Sequence, residues 1–165
     1  MNKGLYFASL LLLIFVSVNA YAYRIVVQVE GMPDQTFRLG YHSGPDVFMV
    51  GPARSDAQGV AVFEADKTLD HGVYFALLPS SAYVDFLVDE DRNFTIRTIA
   101  YHLIDSMTQE GSFQNEAFIS FQKRMAEFNR RAKQLQVEKR FYERSNQDSL
   151  KNAAEGKIKA ISGER

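Results

Sequence analysis

The chain of 165 residues contains no cysteine and no tryptophan, and it has only 4 prolines. Without cysteine it can form no disulfide, no thiolate metal site and no thiol nucleophile. Its stability must therefore come from an apolar core. With 46% hydrophobic residues, including 13 Phe and 8 Tyr, the chain has enough apolar material for one domain.

Motifs that mark common catalytic sites are also missing. No G-x-S-x-G nucleophile elbow occurs, and neither a G-x-G-x-x-G nor a G-x-x-x-x-G-K-[ST] phosphate loop is present. No spacing distinguishes two carboxylates as an acid and a base. We therefore predict no catalytic, cofactor-binding or metal-binding residue and no cofactor, and we expect a protein that is not an enzyme. A hydrolase whose Ser, His and Asp converge from distant segments stays open as an alternative.

The first 22 residues have the pattern of a secretory signal peptide. Lys3 precedes an apolar run over residues 5–16, and Ala20 and Ala22 occupy the two positions that a signal peptidase reads. The apolar run is shorter than the roughly 20 residues of a membrane span. We predict cleavage after Ala22, export to the periplasm or cell envelope, and no membrane span after cleavage. A retained N-terminal anchor helix is the alternative.

Residues 23–112 consist of short alternating segments separated by turn residues. The segments are RIVVQV, TFRLGYH, DVFMV, GVAVFEA, GVYFALL, AYVDFLV and NFTIRTI. Alternation with period two is typical of half-buried strands, and the spacing of the turns favours an antiparallel β-sandwich of about seven to eight strands. Gly51-Pro52 interrupts the third segment, so we predict that this strand is an edge strand or carries a bulge.

A helical pattern begins at Ser112, a residue suited to cap a helix. Apolar residues follow at spacings of three and four: Phe118, Phe121, Met125, Phe128, Ala132 and Leu135. We predict a long amphipathic helix over residues 113–143, with this apolar stripe packed on the sheet at least at its start. A coiled-coil dimer is the alternative, although the stripe is shorter than the about three to four heptads that favour one.

The remaining residues, 144–165, are polar, and we predict either a disordered tail or the start of a truncated further domain. Charge changes sign along the chain. Residues 23–122 carry 6 Lys/Arg and 14 Asp/Glu, a net charge of −8, whereas residues 123–165 carry 12 Lys/Arg and 6 Asp/Glu, a net charge of +6. This asymmetry is typical of an interaction tail or of a solvated helix. The signal peptide argues against nucleic acid as a partner, and binding of the helix to a membrane surface stays open.

The stretch FLVDEDRNFTI, residues 86–96, offers several oxygen ligands. Asp89, Asp91 and Asn93 match the first half of an EF-hand calcium loop. The second half fails, because Phe94 stands where the loop needs Gly and Ala100 stands where it needs Glu. Asp and Asn favour turns, so we predict a hairpin turn between two strands, with weak calcium binding as the alternative.

Two further sets of side chains are candidate sites. His42, His71 and His102 lack the i, i+4 spacing of a helical metal site, which favours ordinary surface positions. Most Phe and Tyr residues must fill the core of the sandwich, and we expect the same of Tyr74, Tyr83 and Tyr101. The alternative for these three tyrosines is an aromatic face that binds a glycan or another ligand.

Four short motifs together resemble an uncharacterised N-terminal domain that precedes thioredoxin-like domains in exported Bacteroidetes thiol-disulfide proteins. VQVEGMPDQTFRLGY and SDAQGVAVFEA resemble hairpins of that domain, FLVDEDRNFTI resembles its acidic hairpin, and GSFQNEAFISF resembles its Gly-Ser-x-x-Asn helix start. The resemblance covers residues 23–125. It implies a β-sandwich of unassigned activity whose partner is a thioredoxin-like domain or an envelope protein. The Cys-x-x-Cys of such proteins lies in the following domain, so redox activity is carried over to no residue of this chain.

Two tripeptides, Asp105-Ser106-Met107 and Asp148-Ser149-Leu150, resemble the sequence at which such bacteria O-glycosylate exported proteins. Ser106 and Ser149 are therefore candidate glycosylation sites. Taken with the export signal and the lack of catalytic motifs, the resemblance leads us to expect an exported, non-catalytic accessory or interaction module. A ligand- or glycan-binding sandwich is the alternative function.

Overall fold

The structure, a computed structural model, describes residues 21–163 and contains eight strands and two helices. The strands are β1 (Tyr23–Glu30), β2 (Thr36–Ser43), β3 (Asp46–Arg54), β4 (Val60–Ala65), β5 (Gly72–Leu77), β6 (Tyr83–Val88), β7 (Asn93–Ile99) and β8 (Thr108–Glu110). The helices are α1 (Phe113–Arg144) and α2 (Asp148–Gly163), and neither is long and apolar enough to cross a membrane. The predicted mainly β fold with a long C-terminal helix is therefore confirmed. The prediction missed β8, because a strand of three residues is too short to show a period.

The strands form two four-stranded sheets that pack face to face. Sheet A has the strand order β4-β1-β7-β8, and sheet B has the order β3-β2-β5-β6. All neighbouring pairs are antiparallel except β1 and β7, which are parallel. The connections after β1, β3, β4 and β6 each cross from one sheet to the other. The opening and central hairpins that the resemblance implies are therefore connections between sheets.

The core lies between the sheets and is filled by every second residue of the strands. Ile25, Val27 and Val29 of β1 are fully buried, as are Phe37 and Leu39 of β2, whereas the residues between them are more exposed. Burying a side chain of this size stabilises the fold by about 1.5–3 kcal/mol. Alternation along the sequence thus decides which face of each strand meets the core.

The prediction for the third strand is confirmed in both respects, because β3 is an edge strand of sheet B and its register with β2 shifts at a bulge next to Gly40. A Cβ atom at Gly40 would lie 2.6 Å from Phe75 Cζ and 2.8 Å from Met49 Sδ, so glycine is required for these side chains to pack there. The exposed apolar residues of β3 are Val47, Phe48, Met49 and Val50. A bulge and a proline limit the pairing of such an open edge with another chain.

α1 begins at the predicted cap and is attached to the edge of sheet B. Ser112 Oγ accepts a hydrogen bond from Asn115 N at 3.3 Å. The fully buried Asn115 side chain donates from Nδ2 to Leu87 O at 2.9 Å and accepts from Leu87 N at 2.7 Å. This side-chain amide supplies the donor and the acceptor that a neighbouring strand would give β6. α1 therefore satisfies the outer edge of sheet B at this point.

The side of α1 that faces the sandwich is not its apolar stripe. Asn115, Ile119, Ala126 and Arg130 contact the strands and loops of the sandwich, and their spacing places them on one face of the helix. Within the stripe, Phe121 is 57% exposed, and Leu135 lies beside α2. The prediction that the start of the stripe packs on the sheet is therefore wrong for Phe121, and α1 meets the sandwich through a mixed face of polar and apolar side chains.

Most of the polar segment after α1 forms α2, which folds back along α1. Ala154 and Ile161 of α2 are buried, and Lys139 Nζ lies 2.6 Å from Glu155 Oε1. The hydrogen bond from Lys139 lowers the pKa of Glu155. Glu155 is therefore ionised at neutral pH, where the ion pair is fully formed, and the pair is lost as the pH falls through that lowered pKa. The alternative of a disordered tail is wrong for residues 148–163, because α1 supplies an apolar surface that the composition of the segment does not reveal.

Replacing Asn115 by Ala tests the attachment of α1 to sheet B. The substitution leaves the Leu87 N–H and C=O without their partners, and each buried unpaired group costs about 1–3 kcal/mol. We expect the free energy of unfolding, measured by urea denaturation, to fall by about 2–4 kcal/mol. Asn129→Ala, at an exposed position of the same helix, is the control and should change it by less than about 0.5 kcal/mol. Equal losses in the two variants would contradict this role of Asn115.

Candidate functional site

An open cleft lies at one end of the sandwich, where three loops meet α1, and its volume is about 570 Å³. The three loops are β1–β2, β5–β6 and β7–β8. The aliphatic residues of the lining are Met32, Leu78, Ala82, Ala100, Leu103, Ile104 and Ala126. We call this site the end cleft. Its volume falls in the range of small-molecule sites, about 300–1,000 Å³, and its walls are suited to bury an apolar group.

An ion pair forms the polar side of the end cleft. Arg130 Nη1 donates hydrogen bonds to Asp105 Oδ1 at 2.9 Å and to Asp105 Oδ2 at 3.1 Å. Both side chains are about half exposed, so the pair adds little to stability, roughly 0–1 kcal/mol. Within residues 21–163, Asp105 is the one carboxylate that Arg130 pairs with. The Arg130 guanidinium therefore has further N–H donors for a bound ligand.

The β7–β8 loop, residues 100–107, is held in shape by two hydroxyl groups. Ser106 Oγ donates to His102 O at 2.7 Å and accepts from Ile99 N at 2.9 Å. Thr98 Oγ1 donates to Leu103 O at 2.6 Å and lies 2.9 Å from Ser106 Oγ. Side-chain hydrogen bonds of this local kind fix the backbone of a turn. The loop therefore forms a preorganised wall of the end cleft.

Tyr101, at the rim of the end cleft, has an unfavourable backbone conformation. Its φ is +67°, in the left-handed region, and its side chain is 100% exposed. The left-handed region costs a residue with a Cβ atom about 1–2 kcal/mol, and the Tyr101 side chain makes no packing contacts that would offset this cost. Strain of this type concentrates at binding sites. Tyr101 therefore marks the rim as a candidate binding surface.

The three candidate tyrosines do not form one face. Tyr74 is 2% exposed, and burial, followed by the charge of Asp70, raises the pKa of its hydroxyl. Tyr83 is 56% exposed on the outer face of sheet B, and Tyr101 lies on the β7–β8 loop. The expected core position is confirmed for Tyr74 and wrong for Tyr83 and Tyr101. The alternative of a platform built by all three is also wrong, because the register of β5 turns Tyr74 toward the core. Among the three, Tyr101 lines the end cleft.

The acidic turn of residues 89–92 is a structural junction at the opposite end of the sandwich. Asp89 Oδ1 lies 2.6 Å from His71 Nδ1, and Asp91 Oδ2 accepts a hydrogen bond from Phe113 N at the start of α1 at 3.1 Å. The prediction of a turn is confirmed, but the turn is not a hairpin, since β6 and β7 belong to different sheets. Within residues 21–163, no group of three His, Asp or Glu side chains is arranged to hold a metal ion.

The three histidines occupy separate parts of the surface. His71 pairs with Asp89, and the ring of His42 lies 5.1 Å from that of Phe75 on the outer face of sheet B. His102 lines the end cleft. All three are exposed, so the prediction of ordinary surface positions is confirmed.

Asp85 in β6 is a partly buried carboxylate whose Oδ1 has no hydrogen-bond partner within the part of the chain that the structure describes. Burial raises the pKa of Asp85, and the charge of His42 opposes this rise. The folded state therefore binds the Asp85 proton more tightly than the unfolded chain does. As the pH rises through the raised pKa, ionisation of Asp85 lowers the stability of the fold.

The predicted processing and modification sites stay predictions. Ala20 lies outside the described residues, and Ala22 N donates a hydrogen bond to Ala65 O at 2.9 Å. Ser149 is exposed in the first turn of α2. The Ser106 hydroxyl donates to a carbonyl of its own loop, so a sugar at this position would remove that hydrogen bond.

The end cleft was not predicted from the sequence. Arg130 and Asp105 are 25 positions apart, and the fold brings them together. One signal was present: Arg130 follows Ile119 and Ala126 at spacings of seven and four, which places it on the same helix face. A charged residue on a helix face that is otherwise apolar indicates that the face reaches the edge of the core at that residue, here Arg130.

Comparisons with known proteins assign no family to this chain. No protein-family model matches it, and no curated protein matches it. Several solved structures are similar to part of it. The crystal structure of (S)-allantoin synthase shares 12% identity and a TM-score of 0.42, covering 56% of this chain and 44% of that chain. The structure of Klebsiella pneumoniae 5-hydroxyisourate hydrolase shares 13% identity and a TM-score of 0.32, covering 55% of this chain and 93% of that chain. Likeness at this level carries no conclusion about activity.

Substitution of Tyr101 tests whether its backbone is strained. Tyr101→Gly and Tyr101→Ala remove the same exposed side chain, but only glycine adopts a positive φ without cost. We expect the Gly variant to be about 1 kcal/mol more stable than the Ala variant in urea denaturation. At Tyr83, in a strand, the same pair should show the reverse order, with Gly less stable by about 0.5–1 kcal/mol. Equal stability of the two Tyr101 variants would contradict the strain.

The ionisation of Asp85 is tested by Asp85→Asn. We expect this variant to melt roughly 1–3 °C higher than the wild type at neutral pH, because it removes a poorly solvated charge. The difference should shrink as the pH falls toward 3.8, the ordinary pKa of an aspartic acid side chain, where the unfolded chain is also protonated. Asp66→Asn, at an exposed position, is the control and should leave the melting temperature unchanged. A melting temperature for Asp85→Asn below that of the wild type at neutral pH would refute the assignment.

Proposed function

We propose that this chain is an exported, non-catalytic interaction module that binds an apolar group of a partner protein in the end cleft. The observation that carries the proposal is the combination of apolar walls with a fully exposed, strained Tyr101 at their rim. Apolar clefts with a few convergent polar groups are the default binding sites of proteins. The Arg130–Asp105 pair provides such groups here.

The construction of the end cleft supports recognition of a preformed surface. Its walls are loops carried on a rigid two-sheet core, an arrangement that many binding domains use. The hydroxyl groups of Thr98 and Ser106 fix the β7–β8 loop before any partner arrives. Preorganisation of this kind reduces the ordering cost of binding.

The proposed partner is an envelope protein or a thioredoxin-like domain. The resemblance of residues 23–125 to a domain that accompanies thioredoxin-like domains supports this choice. The pattern of residues 1–22 supports export, since it combines a basic start, an apolar run and small residues at the cleavage positions.

A glycan-binding module is the second candidate function, and Tyr101 is the observation that favours it. An exposed tyrosine ring beside hydrogen-bonding side chains is suited to stack on a sugar. Binding to an immobilised glycan array that is lost in Tyr101→Ala but kept in Tyr83→Ala would favour this candidate over a protein partner.

Photo-crosslinking tests the proposed function directly. A benzophenone side chain placed at Tyr101 or at Ile104 lies at the rim of the end cleft, whereas Glu90, exposed in the acidic turn at the opposite end of the sandwich, is a control position. In the producing cell, both rim positions should cross-link the same envelope protein. Ala126→Trp fills the cleft and should reduce the yield by at least about fivefold, because it removes the space for an apolar group.

Two outcomes would contradict the proposal. One is the same adducts and yields at Glu90 as at the rim, which would indicate random collision. The other is an unchanged yield in Ala126→Trp, provided that circular dichroism and melting temperature show the fold intact. Ile104→Glu, which places a charge on the apolar wall, serves as a second variant if Ala126→Trp fails to fold.

A further inference from the structure

One face of α1 changes its surroundings along the helix. At the start of the helix, this face lies on the sandwich through Ile119 and Ala126, and Arg130 pairs with Asp105 at its end. Beyond Arg130 the face continues past the sandwich. Its residues there are Lys133, Val137, Arg140, Phe141 and Arg144, which we call the overhang face.

The overhang face is uncovered within the described residues. α2 packs on the other side of α1, where Lys139 and Glu143 pair with Glu155 and Lys151. Val137 is 60% exposed and Phe141 is 62% exposed. The part of α1 that carries the overhang face, residues 131–144, is about 21 Å long at 1.5 Å per residue. Two large apolar side chains on a solvated helix thus remain without cover.

The charge of the overhang face is of one sign. Lys133, Arg140 and Arg144 flank the two apolar side chains, and none of the five residues is acidic. The nearby Glu143 is directed toward α2, where it pairs with Lys139 and Lys151. A complementary surface therefore combines apolar anchors with a rim of carboxylates.

The shape of the molecule favours a narrow partner over a flat one. The overhang face points in the same direction as the face of α1 that lies on the sandwich, so the sandwich projects beside it. A bilayer surface is flat and would collide with the sandwich before it reached Val137 and Phe141. A single helix, about 10 Å wide, fits in the corner between the overhang face and the end cleft.

We propose that an acidic amphipathic helix of a partner protein docks along the overhang face, with apolar side chains on Val137 and Phe141 and one end at the end cleft. Ala126, Arg130, Lys133, Val137 and Phe141 follow one another at spacings of three or four, which forms a ridge for helix packing. The inference rests on the proposed function, because the end cleft and the overhang face are adjacent walls of one corner. Beyond the proposed function, the inference specifies that the partner segment is acidic and helical.

A synthetic peptide tests this inference. The probe is a fluorescein-labelled peptide of about 18 residues with Leu at helical i, i+3, i+4 and i+7 positions and Glu at most others. Fluorescence anisotropy should show the wild type binding the probe at least about tenfold more tightly than Lys133→Glu/Arg140→Glu/Arg144→Glu. Raising the salt concentration should weaken binding to the wild type, since exposed charges are screened. Val137→Ser/Phe141→Ser should weaken binding by a similar factor.

The control variant is Arg124→Glu/Lys157→Glu/Lys159→Glu, which makes the same charge change at exposed positions outside the overhang face. It should bind the probe within about twofold of the wild type. Similar losses in both triple variants would overturn the inference, because net charge alone would then explain binding. No binding of the probe to the wild type would also overturn it.

Two further measurements on the same variants test the other possible occupants of the overhang face. Binding to vesicles of phosphatidylglycerol that requires Val137 and Phe141 would assign the face to a membrane, and a dimer in sedimentation velocity that dissociates on charge reversal would assign it to a second copy. Either result overturns the inference. If the cross-links from Tyr101 and Ile104 persist in the charge-reversed variant while the peptide fails to bind, the proposed function stands and this inference alone fails.

Discussion

The hydrogen bonds between the Asn115 amide and the backbone of Leu87 determine how the two parts of this molecule are joined. They satisfy a donor and an acceptor of β6 that would otherwise lie at an open sheet edge. They also set the direction in which α1 leaves the sandwich, since Ser112 caps the helix within one turn of the same amide. The end cleft has a fourth wall because α1, held in this way, passes the loops at Ala126 and Arg130.

Local features of the sequence predict the layers of this fold but not their connection. Alternation identified β1 to β7, and Gly51-Pro52 predicted that β3 is an edge strand or carries a bulge, of which both are true. Which strands pair depends on contacts across the whole domain, and the acidic turn of residues 89–92 looks the same whether it joins a hairpin or two sheets. The prediction that the apolar stripe beginning at Phe118 packs on the sheet failed for a related reason. Helical periodicity shows that a face is apolar, but it does not show whether a sheet or a second helix covers it.

The candidate site was predictable only in fragments. The sequence makes Tyr101 a candidate binding residue because its side chain is aromatic. The structure makes it a candidate for another reason, its positive φ, which composition cannot reveal. Arg130 and Asp105 form their ion pair across two elements that are distant in the chain. The apolar walls come from single residues of three loops, and no loop alone has a pattern that distinguishes a wall from an ordinary turn. Sites of this kind are properties of the assembled fold.

The parallel pairing of β1 with β7 has a consequence for the order in which the molecule assembles. β1 is made first, yet both of its neighbours in sheet A, β4 and β7, come much later in the chain. Contacts between distant segments slow folding, because a long loop must close before they form. β1 therefore has no partner in its sheet until β4 has been synthesised, and its second edge stays open until β7 follows, when nearly the whole sandwich has been made. During that interval Ile25, Val27 and Val29 need a chaperone or rapid collapse to keep them from aggregating.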